Sequence, residues 1–181
     1  PENIIWCSDP SKVIRDAPAV GLPGDYFYSP MQLVGEWSSY DETICSVDPS
    51  GRGTDETAAA FLSQRNGLIY LHEMSAYRDG YSDSTLLDIL SKCRTYGVTS
   101  LVIETNFGDG IVGELFKKHL INTKQHINIE EVRANVRKED RIIDSLEPVL
   151  NQHRLIIDRG VIEWDYASNQ DSPAEERLLY M

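Results

Sequence analysis

Two acidic residues each end a segment typical of a buried β-strand. Asp48 closes Thr-Ile-Cys-Ser-Val-Asp (residues 43–48), and Glu104 closes Ser-Leu-Val-Ile-Glu (residues 100–104). A glycine-containing loop follows Asp48, and glycine lets a phosphate or metal approach the backbone closely. On its own, however, the segment around Asp48 fits a polar, solvated turn equally well.

The two acids are more informative as a pair. If their strands are neighbours, the carboxylates of Asp48 and Glu104 repel each other unless a cation lies between them. Oxygen ligands of this kind suit Mg²⁺ or Mn²⁺. Two such ions can activate a water and stabilise the leaving oxygen in phosphodiester cleavage. The sequence therefore predicts a two-metal site held largely by Asp48 and Glu104.

Other metal or nucleotide sites fit the sequence poorly. An EF-hand is excluded after Asp48, because Arg52 and Ala59 stand where oxygen ligands are required. No GxxxxGK[ST] motif occurs, which excludes a P-loop motor within this chain. The four histidines have no zinc-type spacing: His72, His119, His126 and His153.

Charge argues against a generic nucleic-acid binder, because 17 Lys and Arg oppose 29 Asp and Glu for a net charge of −12. A locally basic strip nevertheless includes Lys117, Lys118, Lys124, Arg133, Arg137, Lys138 and Arg141. Of these, we expect phosphate contacts from Lys117, Lys118, Lys124, Arg137 and Lys138. The alternative is a solvated helix face.

The order of predicted elements defines the fold class. Strands are predicted over 43–48, 57–63 and 68–74, followed by a helix between Ser82 and Gly97 and a strand over 100–104. A helix over 110–120, a strand over 126–132, a helix over 138–150, a strand over 154–158 and a helix opening at 172 complete the chain. Three antiparallel strands followed by helix-connected parallel strands, flanked by helices, make an α/β mixed sheet of the ribonuclease H-like order.

The first part of the chain differs in composition from the rest. Residues 1–40 are rich in turn formers and predict an irregular N-terminal arm or linker, and residues 41–181 predict one globular domain. We find no membrane span or signal peptide, and three cysteines without metal spacing favour a reducing compartment. We expect a soluble intracellular protein.

Three segments carry a resemblance to a known family: SVDPSGRGTDET, VIETNFGDG and IIDSLEPVLNQHRLIID. Together they resemble the C-terminal nuclease domain of the large terminase subunit, the DNA-packaging motor of tailed bacteriophages, in particular the podophage type. The likeness covers about residues 43–158. It implies a ribonuclease H-like fold and metal-dependent endonucleolytic cleavage of concatemeric viral DNA with Mg²⁺ or Mn²⁺.

The resemblance also implies partners and roles. Asp48 and Glu104 match the family's first two catalytic carboxylates, and Asp55 resembles an auxiliary acid that faces the metals in some members. The implied partners are double-stranded DNA, an N-terminal ATPase domain in the full-length protein, the small terminase subunit and the portal protein, with no membrane. The implied location is the host cytoplasm, with transient docking on the viral procapsid.

One part of the family's pattern is missing. The third carboxylate usually comes from an Asp-Asp-Arg-x-Asp-Ala-Leu type segment on a C-terminal helix, and none precedes Met181. We therefore expect the domain to lack its C-terminal end here and the third acid to lie beyond Met181. The late aspartates are Asp158, Asp165 and Asp171, of which Asp158 is the candidate ligand because it ends a strand.

Three other functions use the same residues differently. A junction resolvase or exonuclease would share both the fold and the carboxylates. An actin-like nucleotide-binding module would need a duplicated domain, for which 181 residues leave no room. A non-catalytic docking module would be favoured if Asp48 and Glu104 were far apart.

Overall fold

A mixed β-sheet forms the centre of the molecule in the computed structural model, which describes residues 3–6, 9–18, 26–50, 56–105, 110–133, 138–168, 170–171 and 173. At positions 138, 139, 141 and 143 only the backbone is described. The strands are β1 (Asn3–Ile5), β2 (Gln32–Val34), β3 (Glu42–Asp48), β4 (Thr57–Arg65), β5 (Leu68–Tyr77), β6 (Ser100–Glu104), β7 (Asn128–Val132) and β8 (Leu155–Ile157). The helices are α1 (Asp83–Tyr96), α2 (Ile111–Thr123), α3 (Lys138–Asn151) and α4 (Arg159–Ser168).

Six of these strands pair in the order β7-β6-β3-β4-β5-β8. β3, β4 and β5 form an antiparallel meander, and Asn66-Gly67, both with positive φ, make the turn between β4 and β5. β6 joins β3 in parallel, β7 joins β6 in parallel, and β8 joins β5 in parallel. The predicted antiparallel-then-parallel order is confirmed.

Helices α1 and α2 cover one face of this sheet. Ser82 caps the start of α1 by accepting the N–H of Thr85 with its side chain, and Gly97 caps its end with φ of 67°, as the sequence predicts. Alternate residues of β3 and β6 point into the resulting core, which also contains Phe61 and Phe116. Those core residues are Cys45, Val47, Leu101 and Ile103, each at most 1% exposed.

The last described elements take the chain from one edge strand of the sheet to the other. Because β7 and β8 lie at opposite edges, α3 carries the chain from one edge to the other. The predicted helix opening at 172 falls almost entirely outside the described residues, whereas α4 was not predicted. α4 starts where the Asp158 side chain accepts the N–H of Gly160 at 2.7 Å, which is a capping role.

The N-terminal arm contains structure of its own. β1 and β2 pair antiparallel as a separate ribbon, and a short 3-10 turn spans residues 10–12. Ile4 of β1 packs with Leu68 and Tyr70 of β5, so the arm lies against the main sheet. Three-residue strands are too short to show a period of two, which is why the sequence predicts an irregular arm. None of the described helices is long and apolar enough to cross a membrane.

Candidate active site

Asp48 and Glu104 lie side by side at the carboxyl end of the sheet. In the parallel β3–β6 ladder the last register pair joins Val47 to Ile103. Asp48 and Glu104 each follow directly and end their strands. The register therefore places the two acids at the same level of neighbouring strands, as the sequence predicts.

Strand alternation also decides which way these acids face. Val47 and Ile103 are buried on the helix-covered side, so the following residues lie on the other face, away from α1 and α2. Asp48 and Glu104 are both half-buried. A ligand can therefore reach the carboxyl ends of β3 and β6, while Val47 and Ile103 anchor the two strands in the core.

A pair of hydroxyl groups holds the chain where it leaves β3. The Ser50 N–H donates to Thr57 Oγ1 at 2.9 Å, and the Thr57 hydroxyl donates to Ser50 Oγ at 3.1 Å. Ser50 and Thr57 are 6% and 1% exposed. Sequence reasoning missed this pair, although the two hydroxyl residues stand at either end of the loop that follows Asp48.

The remaining acids near this edge are only partly described. Asp55 lies outside the described residues, and its neighbour Glu56 pairs with Arg78 at 2.9 Å. In the part of the chain that the structure describes, no group of three or more His, Cys, Asp or Glu side chains could hold a metal ion. The two placed carboxylates are therefore the nucleus of the candidate site.

Asp158 is too far from Asp48 to share a metal with it. β8 lies three strands away from β3, and the ladder registers set Asp158 about four residues lower along the sheet. These offsets separate Asp158 from Asp48 by roughly 20 Å. Asp165 is buried in α4, and Asp171 lies in a turn beyond that helix. The distance from Asp48 rules out Asp158, the candidate that the sequence offers because it ends a strand, and its side chain accepts the Gly160 N–H at the start of α4 instead.

The described residues of the predicted basic strip do not lie beside Asp48 and Glu104. Lys117 and Lys118 are exposed on α2, which covers the opposite face of the sheet, and Lys117 pairs with Glu114 at 2.6 Å. Lys124 ends α2 with φ of 53°, about 20 Å along the helix from its first residue. Arg137 lies outside the described residues, and of Lys138 only the backbone is described. A duplex that touches both Lys117 and Asp48 would have to pass around the sheet edge.

A second polar cluster links α1 to β5 on the helix-covered face of the sheet. Lys92 Nζ lies 2.7 Å from Glu73 Oε1 and 2.7 Å from Ser75 Oγ, and the Tyr96 hydroxyl donates to Glu73 Oε2 at 2.7 Å. Burial alone would raise the pKa of Glu73, but the hydrogen bonds from Lys92 and Tyr96 lower it below its usual value. Burial would lower the pKa of Lys92, but the bond to Glu73 raises it. The cluster is thus charged and links helix α1 to strand β5.

The histidines do not assemble a metal centre among the described residues. His72 Nε2 bonds with Ser63 Oγ at 2.8 Å, and its ring stacks on Tyr96. His119 bonds with Asp83 at 3.0 Å and joins α2 to the start of α1.

Comparison with known proteins identifies the family. Residues 47–155 match the family described as Terminase Bacteriophage T7, Ribonuclease H-like domain. The large terminase subunit of Enterobacteria phage T3 is 40% identical over 181 residues, which is 99% of this chain and 30% of that protein.

A solved structure shares the fold. The human cytomegalovirus terminase nuclease domain, in a Mn-soaked, inhibitor-bound structure, aligns with a TM-score of 0.52 and 11% identity over 75% of each chain. The predicted ribonuclease H-like fold and the resemblance to large terminases are both confirmed. The chain belongs to the family of ribonuclease H-like domains of bacteriophage T7-type terminases.

Proposed function

We propose that this chain is a metal-dependent endonuclease domain that cleaves concatemeric double-stranded viral DNA during genome packaging. The observation that carries the proposal is the placement of Asp48 and Glu104 on one face, at adjacent strand ends of the sheet. Membership of the terminase ribonuclease H-like family supports it. A pair of accessible carboxylates at a strand edge suits phosphodiester hydrolysis.

The donor set fits a hard divalent cation. Asp48 and Glu104 would hold Mg²⁺ or Mn²⁺, with Asp55 as a third proposed ligand, in a two-metal site. When bound, the metals supply a water nucleophile at neutral pH and neutralise charge on the leaving oxygen. The fold's contribution is to hold two carboxylates at one level so that their mutual repulsion favours a cation between them. The cytomegalovirus domain that shares this fold was soaked with manganese.

The proposal includes partners that belong to a longer protein. The chain spans 30% of the length of the phage T3 large subunit that it matches. In the full-length protein we place an ATPase domain N-terminal to this one, with the small terminase subunit and the portal protein as partners. The site of action is then the host cytoplasm, during transient docking on the procapsid, with double-stranded DNA as substrate and Lys117, Lys118, Lys124, Arg137 and Lys138 as its proposed phosphate contacts.

The adjacency of the two carboxylates weighs against a non-catalytic docking module, which needs no such pair. A junction resolvase or exonuclease would use the same carboxylates, so substrate choice has to separate those activities. We expect cutting of covalently closed plasmid, which offers no end to an exonuclease. We expect no preference for a four-way junction over a duplex of the same sequence.

The test measures plasmid cleavage by the 181-residue chain with Mg²⁺, with Mn²⁺ and with a chelator. Asp48→Asn and Glu104→Gln keep side-chain size and remove charge, and each should abolish metal-dependent cutting. Glu114→Gln removes an exposed carboxylate on α2 and should cut like the wild type. Undiminished cutting by Asp48→Asn or Glu104→Gln contradicts the proposal.

A further inference from the structure

The Ser50–Thr57 hydroxyl pair lies where the chain must be held if Asp48 is to point in one direction. β3 ends at Asp48, so Ser50 is beyond the strand ladder and its buried N–H needs another partner. Thr57 Oγ1 is that partner, and the same hydroxyl donates back to Ser50 Oγ. The Thr57 hydroxyl accepts one bond and donates the other, which a methyl group in its place could not do. We call this arrangement the Ser50–Thr57 clasp.

Two further features restrict the same stretch. Asp48 precedes Pro49, which favours an extended backbone at Asp48 and fixes φ at the proline. A Cβ at Gly80, in the turn after β5, would lie 3.4 Å from Ser50 Oγ, so Ser50 packs closely against that turn. Asp48 therefore lies between the β3 ladder on one side and a pinned, buried Ser50 on the other.

The same two strands carry a matched hydroxyl pair at their other end. Thr43 Oγ1 lies 2.8 Å from Ser63 Oγ, and both residues are buried. This pair joins β3 to β4 as the clasp does, but it is five residues from Asp48, or roughly 17 Å along the strand. Thr43 and Thr57 thus each make a buried hydroxyl–hydroxyl bond, but only Thr57 also accepts a backbone N–H and lies near the carboxylate.

We propose that the Ser50–Thr57 clasp is a positioning device for the Asp48 carboxylate, so that Thr57 sets the affinity of the carboxylate pair for a divalent cation without touching the cation. This inference rests on the proposed function of Asp48 and Glu104 as metal ligands. Removal of the Thr57 hydroxyl leaves the Ser50 N–H without its partner and frees the exit of β3. The expected cost is a loss of metal affinity of about ten-fold, the lower end of what loss of a supporting residue causes.

The experiment is a titration of the 181-residue chain with Mn²⁺ alone, in which electron paramagnetic resonance counts the free ion. Thr57→Val should weaken binding, and Thr57→Ser, which keeps the hydroxyl, should restore it. Thr43→Val should bind Mn²⁺ like the wild type. Both valine variants should lower the melting temperature, Thr57→Val by more, because it leaves a buried backbone N–H without a partner, whereas in Thr43→Val Ser63 keeps its bond to His72. Ser50→Ala, which removes only the bond between the two hydroxyls, should give an intermediate affinity.

The outcomes separate the two proposals. If Thr57→Val binds Mn²⁺ like the wild type, or if Thr43→Val weakens binding equally, the positioning role is overturned while the metal site stands. If Thr57→Val does not fold, wild-type affinity in Ser50→Ala overturns the positioning role. If the wild type binds no Mn²⁺, or if Asp48→Asn binds Mn²⁺ as tightly as the wild type, the proposed metal site fails. The role of the clasp then fails with it.

Discussion

Neighbouring residues of one strand take opposite roles at the candidate site. Val47 and Ile103 are each 1% exposed and belong to the helix-covered core, whereas the acids that follow them lie on the other face. Because side chains alternate along a strand, the buried core residues fix the position of Asp48 and Glu104 along the sheet and the face on which they lie. Substitution of Asp48 or Glu104 should therefore change the charge at the strand ends without disturbing the packing of the core.

At this scale we predict that divalent cations stabilise the wild type through the two acids. Adding millimolar Mn²⁺ should raise the melting temperature, because a ligand that binds only the folded state stabilises it. The rise should disappear in Asp48→Asn and in Glu104→Gln, measured by thermal unfolding with and without chelator. Both variants should stay folded, since each removes one of two mutually repelling charges. An unchanged rise in either variant would assign the stabilising ion to another site.

His72 gives a prediction about pH. Burial lowers the pKa of its imidazole below the usual 6.5, and the charge of Asp158 opposes this only partly. The unfolded state therefore binds the proton more readily, so the contribution of neutral His72 is complete above about pH 6.5 and is lost as the pH falls through its lowered pKa. In His72→Gln the stability should depend less on pH between 8 and 5. Urea unfolding of both proteins across that range measures the difference, and parallel curves would refute the assignment.

At the scale of elements, α1 is held to β5 by charge as well as by apolar packing. The cluster of Glu73, Lys92 and Tyr96 lies over the β-bulge that places His72 and Glu73 on the helix side of the sheet. Burial and then the Glu73 hydrogen bond raise the pKa of Tyr96 to about 12. The tyrosine thus stays a hydrogen-bond donor throughout the physiological range.

We predict that Lys92→Met destabilises the protein by about 1.5–3 kcal/mol, because Glu73 loses a charge-assisted hydrogen bond in a half-buried place. The methionine keeps most of the apolar stem, so the loss reports on the ammonium group. Chemical unfolding measures it. Lys117→Met is the control, because the exposed pair of Lys117 with Glu114 should contribute little. An equal effect of the two substitutions would show that the cluster is no stronger than a surface ion pair.

The exposed lysines of α2 allow a test of DNA contact. Reversing Lys117 and Lys118 to glutamate should weaken binding to duplexes of every sequence alike and flatten the dependence on salt, by about 0.9 in slope for each lost phosphate contact. Fluorescence anisotropy at several salt concentrations measures both effects. Because α2 lies on the face opposite Asp48, the metal requirement of cleavage should not change. A change in cut-site preference would contradict a role in phosphate contact.

How far the sequence predicts these elements depends on their length and their signals. β3, β6 and α1 were predicted well because long apolar runs and clear caps mark them, and the pairing of β3 with β6 followed from the element order. The sequence does not predict α4, because Asp158 both follows β8 and caps the helix, and no loop separates the two elements. The Ser50–Thr57 clasp was missed because a hydroxyl pair across a loop has no period and no spacing rule.

At the scale of the whole molecule, the proposed metal site needs a further ligand beside Asp48 and Glu104. The described residues place two carboxylates together and hold no cluster of three metal-binding side chains. Asp158 is excluded by its distance from Asp48, and the proposed candidates are Asp55 and the acidic segment that the family usually carries on a C-terminal helix. Mg²⁺ keeps its waters unless several oxygen ligands replace them, so a site with two protein acids should bind it weakly.

We therefore predict that the 181-residue chain binds Mg²⁺ weakly and cuts DNA slowly, with millimolar Mn²⁺ as the better activator, because Mg²⁺ gives up its waters reluctantly where protein ligands are few. A longer protein that adds the C-terminal acidic segment typical of the family should bind Mg²⁺ more tightly. Calorimetry on both proteins, with Asp55→Asn and Asp158→Asn in each, measures this. Equal Mg²⁺ affinity in the two proteins would place the third ligand within these residues. Loss of affinity in Asp55→Asn alone would then identify it, while Asp158→Asn, which removes a charge but can still cap α4, should leave the affinity unchanged.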